Sequence, residues 1–315
     1  MTKPIVVLSH CLASEACRYN GEALRDPVVA ALSRHVTFRP VCPEVAIGLG
    51  VPRDPIQLVA RGKGVALLQP ATGRDVTTEM RGFSQRYLDG LDVVDGFVLK
   101  GRSPTCGISQ VKIRAVQGGP VLRRGHGIFA QAVIDRHPHL AVEEEGRLGD
   151  FAIRDHFLTR VFASARFRQV KSPRELVHFQ ATHKLLLLGH GQAGMRELGR
   201  VVANAEHRPW EEVRSLYAVG VAGVLARPAR KPALINVFEH AFGFVSERLG
   251  PREKRHFAAL LRSYREARVP VGAVPTLLRS WVERFDVPYL ADQVFFQPYP
   301  VELVSLLDSG KGRAV

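Results

Sequence analysis

The stretch Pro4-Ile-Val-Val-Leu-Ser9-His-Cys11 places four consecutive apolar residues shortly before a histidine and a cysteine. A short apolar run bounded by a proline and by polar residues predicts a buried strand. Two similar runs follow: Val36–Val41 ends at Cys42, and Asp95–Lys100 leads into the loop of Cys106. The three segments therefore predict strands of one sheet, each followed by a cysteine.

Amphipathic patterns that are typical of helices lie between and after these strands, at Asp26–His35, Thr77–Leu91 and Gly125–His137. Strands that alternate with helices indicate a parallel sheet covered by helices. The first half is therefore predicted to be an α/β domain with a Rossmann-like, mostly parallel sheet. Ligands of such sheets bind at the edge formed by the carboxyl ends of the strands, where the cysteines are expected.

The pattern changes after residue 150, where long amphipathic stretches replace the short apolar runs. Glycines and prolines separate these stretches, as expected at helix boundaries. The second half is predicted to be all-α, and the chain to divide into domains of residues 1–162 and 170–315. The predicted helices are Glu175–Gly189, Met195–Asn204, Trp210–Leu225, Lys231–Arg248, Arg252–Arg268 and Thr276–Phe285.

All four cysteines of the 315-residue chain lie among its first 106 residues. A secreted disulfide scaffold would hold more cysteines in a shorter chain, so these thiols favour metal binding or catalysis. The N-terminal apolar run is too short for a signal peptide, and no apolar stretch is long enough to span a membrane. We therefore expect a soluble, cytoplasmic protein without a membrane partner.

The formal net charge is +14 and the sequence pI is about 10.1, and most of the excess positive charge lies after residue 165. A field of this sign attracts polyanions, and the planar guanidinium of arginine suits phosphate groups. A coding bias toward arginine with a solvated surface is the alternative. The charge favours nucleic acid as the partner.

Basic residues at helical spacings in the second half are the candidates for phosphate contacts. Tyr264 and Trp281 could stack on unpaired bases, although aromatic residues are more often part of a core. Together with the local charge, these features favour RNA. The predicted RNA-binding residues are Lys184, Arg196, Arg200 and Arg265.

Long intervals separate Cys11, Cys42 and Cys106, so these residues form no local Cys-x-x-Cys knuckle. This spacing argues against a zinc ribbon and against a thioredoxin-type motif. Three thiolates from separate strand ends could hold zinc or an iron–sulfur cluster, since both accept soft sulfur ligands. Buried free cysteines are the alternative, and the neighbouring prolines and glycines, which are typical of turns, disfavour it.

Ordered motifs spread over residues 3–160 carry a family resemblance. They are Ser9-His-Cys-Leu12, Cys17-Arg-Tyr-Asn-Gly21, Val41-Cys-Pro-Glu-Val45, Gly73-Arg-Asp-Val-Thr77, Leu99-Lys-Gly-Arg-Ser-Pro-Thr-Cys-Gly107 and Glu143-Glu-Glu-Gly-Arg-Leu148. In these motifs the first half resembles the thiouracil desulfidase (TudS-like) family. The resemblance is specific, because the motifs keep their order and spacing over a hundred residues.

The resemblance implies a 4Fe-4S cluster on three cysteine ligands, Cys11, Cys42 and Cys106, with one iron that lacks a protein ligand. An open coordination position distinguishes a catalytic metal site from a structural one. Related enzymes use that iron to accept sulfur from a thiocarbonyl without net redox chemistry. Cys17 is assigned no ligand role, because the position before Arg-Tyr-Asn-Gly is not reliably cysteine in the family; a fourth cysteine ligand would close the cluster.

The resemblance also carries over two catalytic residues, Glu44 and Ser103. Glu44 follows Cys42 by two positions and is suited to act as an acid or base on a heterocycle nitrogen or an attacking water. Without the motif, a lone Glu or Ser would be interpreted as a solvated surface residue. His10 stands where relatives usually carry a small residue, and no role is assigned to it.

Motifs of the second half carry a further resemblance, among them His183-Lys-Leu-Leu-Leu-Leu-Gly-His190, Asn236-Val-Phe-Glu-His240 and Tyr289-Leu-Ala-Asp-Gln293. Over residues 178–304 the chain resembles the YbgA-like domain that is often fused to the desulfidase domain. This resemblance implies no catalytic residue. His183, His190 and His240 could suggest a metal, but no carboxylate accompanies them at ligand spacing, which favours buried or capping histidines.

The two resemblances together predict an enzyme that removes sulfur from thiolated uracil. The basic helical domain favours 4-thiouridine in tRNA, converted to uridine with release of sulfide, because phosphate contacts dominate affinity for nucleic acid. The target nucleotide would have to leave the base stack. Two alternatives stay open: a desulfidase for free thiouracil or thiouridine, and a non-enzymatic iron–sulfur regulator that binds nucleic acid.

Overall fold

The computed structural model describes residues 2–13, 20 and 26–304, so Cys17 lies outside the described residues. The chain divides into two compact units, Met1–Ala165 together with Pro300–Val315, and Arg166–Tyr299. Within the described ranges, no helix has both the length and the apolar composition needed to cross a membrane.

The first unit alternates strands with helices. Its strands are β1 (Ile5–Ser9), β2 (Thr37–Val41), β3 (Gln57–Arg61), β4 (Gly64–Gln69), β5 (Arg74–Asp75), β6 (Gly96–Leu99), β7 (Val111–Arg114), β8 (Val121–Gly125) and β9 (Ala141–Glu144). Its helices are α1 (Pro27–Leu32), α2 (Pro43–Ala46), α3 (Thr77–Asp89), α4 (Ile128–Arg136) and α5 (Phe151–Arg168), of which residues 166–168 are counted with the second unit. Helix α5 includes residues 163–168, which lie between the two predicted domains.

Four of these strands form one sheet in the order β2-β1-β6-β9, and every pairing in it is parallel. Strand β1 is apolar on both faces and almost completely buried, which is typical of a parallel sheet covered on both sides. Val7 and Phe97 of this sheet pack in one core with Leu88 of α3 and Phe129 of α4. The predicted α/β class with a mostly parallel sheet is confirmed.

A second sheet, in the order β5-β4-β3-β7-β8, is absent from the sequence-based prediction. Strand β3 pairs antiparallel with β4 and parallel with β7, and β7 pairs antiparallel with β8. Strand β8, Val121-Leu-Arg-Arg-Gly125, is exposed along most of its length. It lacks the alternation of apolar and polar residues by which a strand is recognised, so its conformation depends on the pairing with β7.

The second unit is helical, which confirms the prediction for this half. Helix α6 begins after Ser172, whose hydroxyl accepts the N–H of Glu175 at 3.3 Å, with Pro173 at its first position. Helix α7 ends at Asn204 in the left-handed conformation. The helices are α6 (Pro173–His190), α7 (Gln192–Ala203), α8 (Trp210–Leu225), α9 (Lys231–Ser246), α10 (Pro251–Arg265), α11 (Ala273–Phe285) and α12 (Pro288–Ala291).

Tyr264 and Trp281 lie in the core of this helical unit and are buried. The ring of Tyr264 packs edge-on against Phe238, and the ring of Trp281 lies 6.2 Å from that of Phe257. The prediction that these two residues stack on unpaired bases is therefore wrong, because the hydrophobic core covers both rings.

Gln293 connects the end of the helical unit to the middle of α6. Its side-chain oxygen accepts the N–H of Leu185 at 3.0 Å, and its side-chain nitrogen donates to the carbonyl of Ala181 at 2.9 Å. The side chain is buried, so both ends of its amide are satisfied away from water.

We predict that Gln293→Ala lowers the free energy of unfolding by about 2 kcal/mol, since it removes two buried hydrogen bonds and leaves a cavity. Urea unfolding measures the change. The control is Gln192→Ala on α7, where the side chain is exposed and a change below about 0.5 kcal/mol is expected. Equal effects of the two substitutions would contradict a structural role for Gln293.

Candidate functional site

The parallel sheet brings the three predicted cysteine ligands to one edge. Cys11 lies in a short 3-10 helix, His10–Leu12, directly after β1. Cys42 follows β2 and occupies the position directly before α2, and Cys106 lies in the loop that follows β6. Because β1, β2 and β6 are parallel neighbours, the segments after them emerge on the same side.

The three thiols are close enough to affect one another electrostatically. Cys11 and Cys42 are half-buried, whereas Cys106 is buried. Burial raises the pKa of Cys11 to about 11, and the charge of Cys42 adds to this effect while Lys100 opposes it. Burial likewise raises the pKa of Cys106 well above its usual range, with smaller increases from Glu44, Cys11 and Cys42. The thiols and Glu44 therefore form one group.

Ser9, at the end of β1, ties the first cysteine segment to the third. Its hydroxyl accepts the N–H of Lys100 at 2.9 Å. It also hydrogen-bonds to the Cys106 thiol, which lowers the pKa of that thiol against the larger effect of burial. Ser9 thus connects the end of β1 to the beginning and the middle of the loop that follows β6.

Ser103 shapes the turn that presents Cys106. Its hydroxyl oxygen accepts the N–H groups of Thr105 at 3.2 Å and of Cys106 at 3.1 Å. The hydroxyl proton remains available for donation. Gly127 packs against this turn so closely that a Cβ atom there would lie 2.4 Å from the backbone of Thr105. The turn is therefore held both by its own serine and by the start of α4.

Carboxylates at the end of β9 hold the same loop. Glu144 accepts the N–H groups of Ile108 at 2.7 Å and Ser109 at 3.1 Å. Glu145 accepts the N–H of Gly101 at 2.7 Å and forms an ion pair with Lys100. Burial raises the pKa of Glu144, and the two backbone donors oppose that effect. Both ends of the Cys106 loop are thus fixed to the neighbouring strand.

Glu44 lies in the first turn of α2 and is held by Arg53. The guanidinium donates to Oε2 of Glu44 through Nε at 2.9 Å and through Nη2 at 2.6 Å. It also donates to the carbonyl of Gly50 at 2.9 Å. Only 4% of the Arg53 side chain and 13% of the Glu44 side chain are exposed. A carboxylate fixed in this way keeps one orientation beside the thiols.

The donor set fits a soft, positively charged group. Sulfur ligands suit iron–sulfur clusters and zinc, and bound metal charge would offset the burial and mutual repulsion that raise the pKa values of Cys11 and Cys106. Within the described ranges, no group of three His, Cys, Asp or Glu side chains lies close enough to hold a single metal ion. A cluster places its cysteine ligands on different irons, so these ligands need not converge on one ion.

Comparison with known proteins assigns each half of the chain. Residues 6–145 match the family described as 2-thiouracil desulfurase. Residues 184–300 match a family described as a protein of unknown function, DUF1722. The first half of the chain thus matches a 2-thiouracil desulfurase domain and the second half a DUF1722 domain, and these names are used for the two halves below. This confirms the resemblance of the sequence to a two-domain desulfidase, and the first match supports thiouracil desulfidase activity.

Individual relatives cover parts of the chain. The uncharacterized protein YbgA of Escherichia coli strain K12 is 26% identical over 161 residues, which are 50% of this chain and 95% of YbgA. The uncharacterized protein YbbK of Bacillus subtilis strain 168 is 28% identical over 110 residues, 33% of this chain and 73% of YbbK. A solved structure described as the 4Fe-4S-dependent thiouracil desulfidase TudS is 29% identical in sequence, with a TM-score of 0.37. The match covers 46% of this chain and 93% of the TudS chain.

A cavity of about 770 Å³ in the desulfurase domain lies apart from the cysteines. It is lined by α3, α4 and the β7–β8 hairpin, with Arg81, Arg123 and Arg136 among its basic residues. None of Cys11, Cys42 or Cys106 lines it. The cysteine edge of the sheet, with Glu44, is therefore separate from the residues that line this cavity.

The predicted RNA-binding residues of the DUF1722 domain, Lys184, Arg196, Arg200 and Arg265, are all exposed, on helices α6, α7 and α10. Arg200 forms an ion pair with Glu197, and Arg265 pairs with Glu239 at 2.6 Å. Such surface pairs contribute only about 0–1 kcal/mol, so a phosphate group can displace the carboxylate. These residues stay predictions.

Several residues that shape the desulfurase site were not assigned roles from the sequence. Four of them, Arg53, Lys100, Glu144 and Glu145, lie within or beside the family motifs. The sequence around a single charged residue does not show which residue its side chain will contact. For Ser9, the sequence predicts only that it is the last residue of a strand. Their roles follow from hydrogen bonds between segments that are 9 to 91 residues apart in the chain.

We predict that Arg53→Met lowers the free energy of unfolding by about 3 kcal/mol, because it leaves the nearly buried carboxylate of Glu44 without its counter-charge. The control is Arg61→Met, since Arg61 pairs with Asp75 in an exposed position and should cost less than about 1 kcal/mol. Urea unfolding under anaerobic conditions measures both. Similar values for the two variants would show that the Glu44–Arg53 pair behaves as a surface pair.

Proposed function

We propose that this protein is a non-redox, iron–sulfur-dependent desulfidase that converts 4-thiouridine in tRNA to uridine. One observation carries the proposal: three cysteines and a fixed glutamate form a single group at the carboxyl edge of the sheet in a 2-thiouracil desulfurase domain. The cofactor proposed for this site is a 4Fe-4S cluster held by Cys11, Cys42 and Cys106.

The overall reaction is a hydrolysis. Water adds its oxygen to the thiocarbonyl carbon, the C=S bond is replaced by C=O, and the sulfur leaves with both protons of the water as hydrogen sulfide. No electron is gained or lost, so no external oxidant or reductant is required. The bound cluster, with one iron free of a protein ligand, would supply a Lewis acid that draws off the sulfur.

Glu44 and Ser103 are the residues to which we assign the remaining chemistry. Glu44, held by Arg53, takes a proton from the attacking water and exchanges a proton with the ring nitrogen of the base. Ser103 accepts two backbone N–H groups through its oxygen, so its proton is directed to an acceptor on the substrate. Their fixed positions lower the cost of orienting the water and the base.

The DUF1722 domain supports tRNA as the substrate. Its excess of positive charge attracts a polyanion, and four exposed basic residues are available for phosphate contacts. A free thiolated base carries no phosphate and gains nothing from such a surface. The alternative substrates, free thiouracil or thiouridine, thus differ from tRNA in how strongly they depend on this domain.

We predict that replacing Cys11, Cys42 or Cys106 with Ser abolishes both iron content and desulfidation in anaerobically purified protein. Glu44→Gln and Ser103→Ala should retain the iron but lose about 10²–10⁴-fold in rate. Iron and sulfide assays, with the loss of thiouridine absorbance, measure the outcome. Full iron content in any of the three cysteine variants would show that this cysteine is not a cluster ligand. Normal rates in Glu44→Gln and Ser103→Ala would show that these two residues have structural roles only.

We predict that tRNA affinity falls steeply with salt, by roughly 10³-fold between about 50 and 200 mM for about six phosphate contacts. Turnover of free 2-thiouracil should barely change. The double variant Lys184→Glu/Arg196→Glu should weaken tRNA binding and make the affinity less dependent on salt. The control is Lys254→Glu/Arg255→Glu on α10, which changes the total charge equally at two exposed positions and should affect tRNA binding less. Equal losses on tRNA and on the free base would favour a small-molecule desulfidase.

A further inference from the structure

The cavity of about 770 Å³ in the desulfurase domain has no part in the proposed desulfidation. Its volume lies in the range of about 300–1,000 Å³ that is typical of ligand sites. Helices α3 and α4 form one side of it. The second sheet forms the other side, through the turn between β3 and β4 and through strands β7 and β8. The cavity is therefore a candidate site for something other than the reacting base.

Three cations of the cavity wall are accessible to a ligand. Lys63 lies in the turn after β3, Arg81 on α3 and Arg123 on β8, and all three residues are exposed. Within the part of the chain that the structure describes, none of the three forms an ion pair with a carboxylate. An anionic ligand can therefore bind them without displacing a counter-charge.

The carboxylates of the same wall are already engaged. Asp89 pairs with Arg136 at 3.3 Å, and Asp135 accepts the side-chain amide of Gln131 at 2.8 Å. Among the described residues that line the cavity, lysine and arginine side chains outnumber carboxylates by four to two. The net charge of the wall is thus positive, and a cavity with a positive wall attracts anions.

The guanidinium groups of both arginines lie beside other residues that line the cavity. Nη2 of Arg81 donates to the carbonyl of Val65 at 3.2 Å, and other N–H groups of this guanidinium remain for a ligand. A Cβ atom on Gly125 would lie 3.7 Å from Nη1 of Arg123, so this guanidinium lies against the glycine. Arg123 is also opposite Ile113 in the β7–β8 pairing, on the face of the sheet that lines the cavity.

The cations are spread along the cavity. Arg81 contacts β4 whereas Arg123 belongs to β8, and strands β3 and β7 lie between these two strands. Adjacent strands lie about 4.8 Å apart, so β4 and β8 are separated by about 14 Å. The positions of the cations therefore favour a ligand that carries negative charge at separate points over a single compact anion.

The beginning of α4 connects this cavity to the Cys106 loop. Gly127 donates its N–H to the carbonyl of Gly107 at 2.8 Å, and Ile128 donates to the carbonyl of Pro104 at 3.2 Å. Both Gly127 and Ile128 also line the cavity. A long ligand in the cavity therefore lies close to the loop that carries one of the proposed cluster ligands.

We infer that this cavity binds a stretch of single-stranded RNA that flanks the reacting nucleotide, with phosphates at Lys63, Arg81 and Arg123. An RNA strand carries a negative charge at every phosphate, so it supplies the separate charges that the wall requires. Grooves for single strands combine basic side chains that follow the backbone with surface on which bases lie. Val65 and Ala132, both partly exposed, provide apolar surface here. Phosphate contacts position the strand without a base preference.

Other occupants fit the cavity less well. A mononucleotide or inorganic phosphate would engage the cations at one point only, and a metal cation would meet a positive wall. An acidic peptide could present carboxylates at several points, and arginine binds carboxylates through the same fork as phosphates. The attachment of the wall to the Cys106 loop favours RNA, because RNA is the chain that presents a base to the cysteines in the proposed reaction.

Only the choice of RNA as the partner rests on the proposed function. Binding of unmodified RNA requires neither the cluster nor a thiolated base. RNA binding through the cavity without desulfidation would refute the proposed function alone. Desulfidation of tRNA that is independent of the cavity would refute this inference alone.

The test compares two double variants of the full-length protein. Lys63→Gln/Arg123→Gln removes two cations from the cavity wall. The control, Lys112→Gln/Arg124→Gln, removes two exposed cations that pair in register on β7 and β8 and that do not line the cavity. Side chains alternate along a strand, so the control residues lie on the opposite face of the same sheet from Ile113 and Arg123.

Binding of an oligouridylate of about eight nucleotides is measured by fluorescence anisotropy at several salt concentrations. The cavity variant should bind roughly tenfold more weakly. Its slope of log affinity against log salt should be smaller by about 1.4, since each phosphate contact to a single strand contributes about 0.7. The control variant should stay close to the wild-type protein. Equal losses in the two variants, or no loss in the cavity variant, would overturn the inference.

Labelling of arginines by phenylglyoxal locates the contact without any substitution. The oligouridylate should protect Arg123 from the reagent and leave the adjacent Arg124 equally labelled, as measured by mass spectrometry. The competitors are uridine monophosphate and an oligoglutamate of the same length. Protection of Arg123 by uridine monophosphate as strong as that by the oligouridylate would indicate a compact phosphate site, and equal protection by the oligoglutamate a peptide site. Either result, or no protection by the oligouridylate, would overturn the inference.

Discussion

The parallel pairing of β1 with β2 and β6 is the constraint on which the candidate site depends. Parallel strands end on the same side of a sheet, so Cys11, Cys42 and the loop of Cys106 meet there although long stretches of chain separate them. An antiparallel arrangement would send neighbouring segments to opposite edges. The apolar strands supply the burial energy that fixes this register, and the thiols follow the ends of these strands.

Carboxylates stabilise the polar side of this edge. Glu144 and Glu145 accept backbone N–H groups at the two ends of the Cys106 loop, and Glu44 is held by the guanidinium of Arg53. Buried charges are tolerated when they are paired or accept several hydrogen bonds. The negative charge near the thiols disfavours free thiolates, so the arrangement suits a bound positive group better than a reactive cysteine.

The two domains use their polar residues in different ways. In the desulfurase domain Ser9, Ser103, Glu44, Glu144 and Glu145 are engaged with neighbouring side chains or with the backbone. In the helical unit the exposed Arg200 and Arg265 form surface ion pairs, whereas His183 is buried and stacks on Phe179. The first arrangement fixes the polar groups around the cysteines, and the second leaves surface charges that can exchange partners at little cost.

The sequence by itself determined the α/β class, the helical second half and the positions of Cys11, Cys42 and Cys106 after strands, because apolar periodicity and turn residues are local signals. The motifs also indicated Glu44 and Ser103 as catalytic candidates, an assignment that stays a prediction. The tertiary structure alone decided the second sheet, since the exposed strand β8 has no apolar pattern of its own. It also decided that Tyr264 and Trp281 belong to the core, and that Ser9, Arg53, Glu144 and Glu145 support the site. These roles depend on contacts between distant segments, and a residue type does not reveal which partner the fold will bring to it.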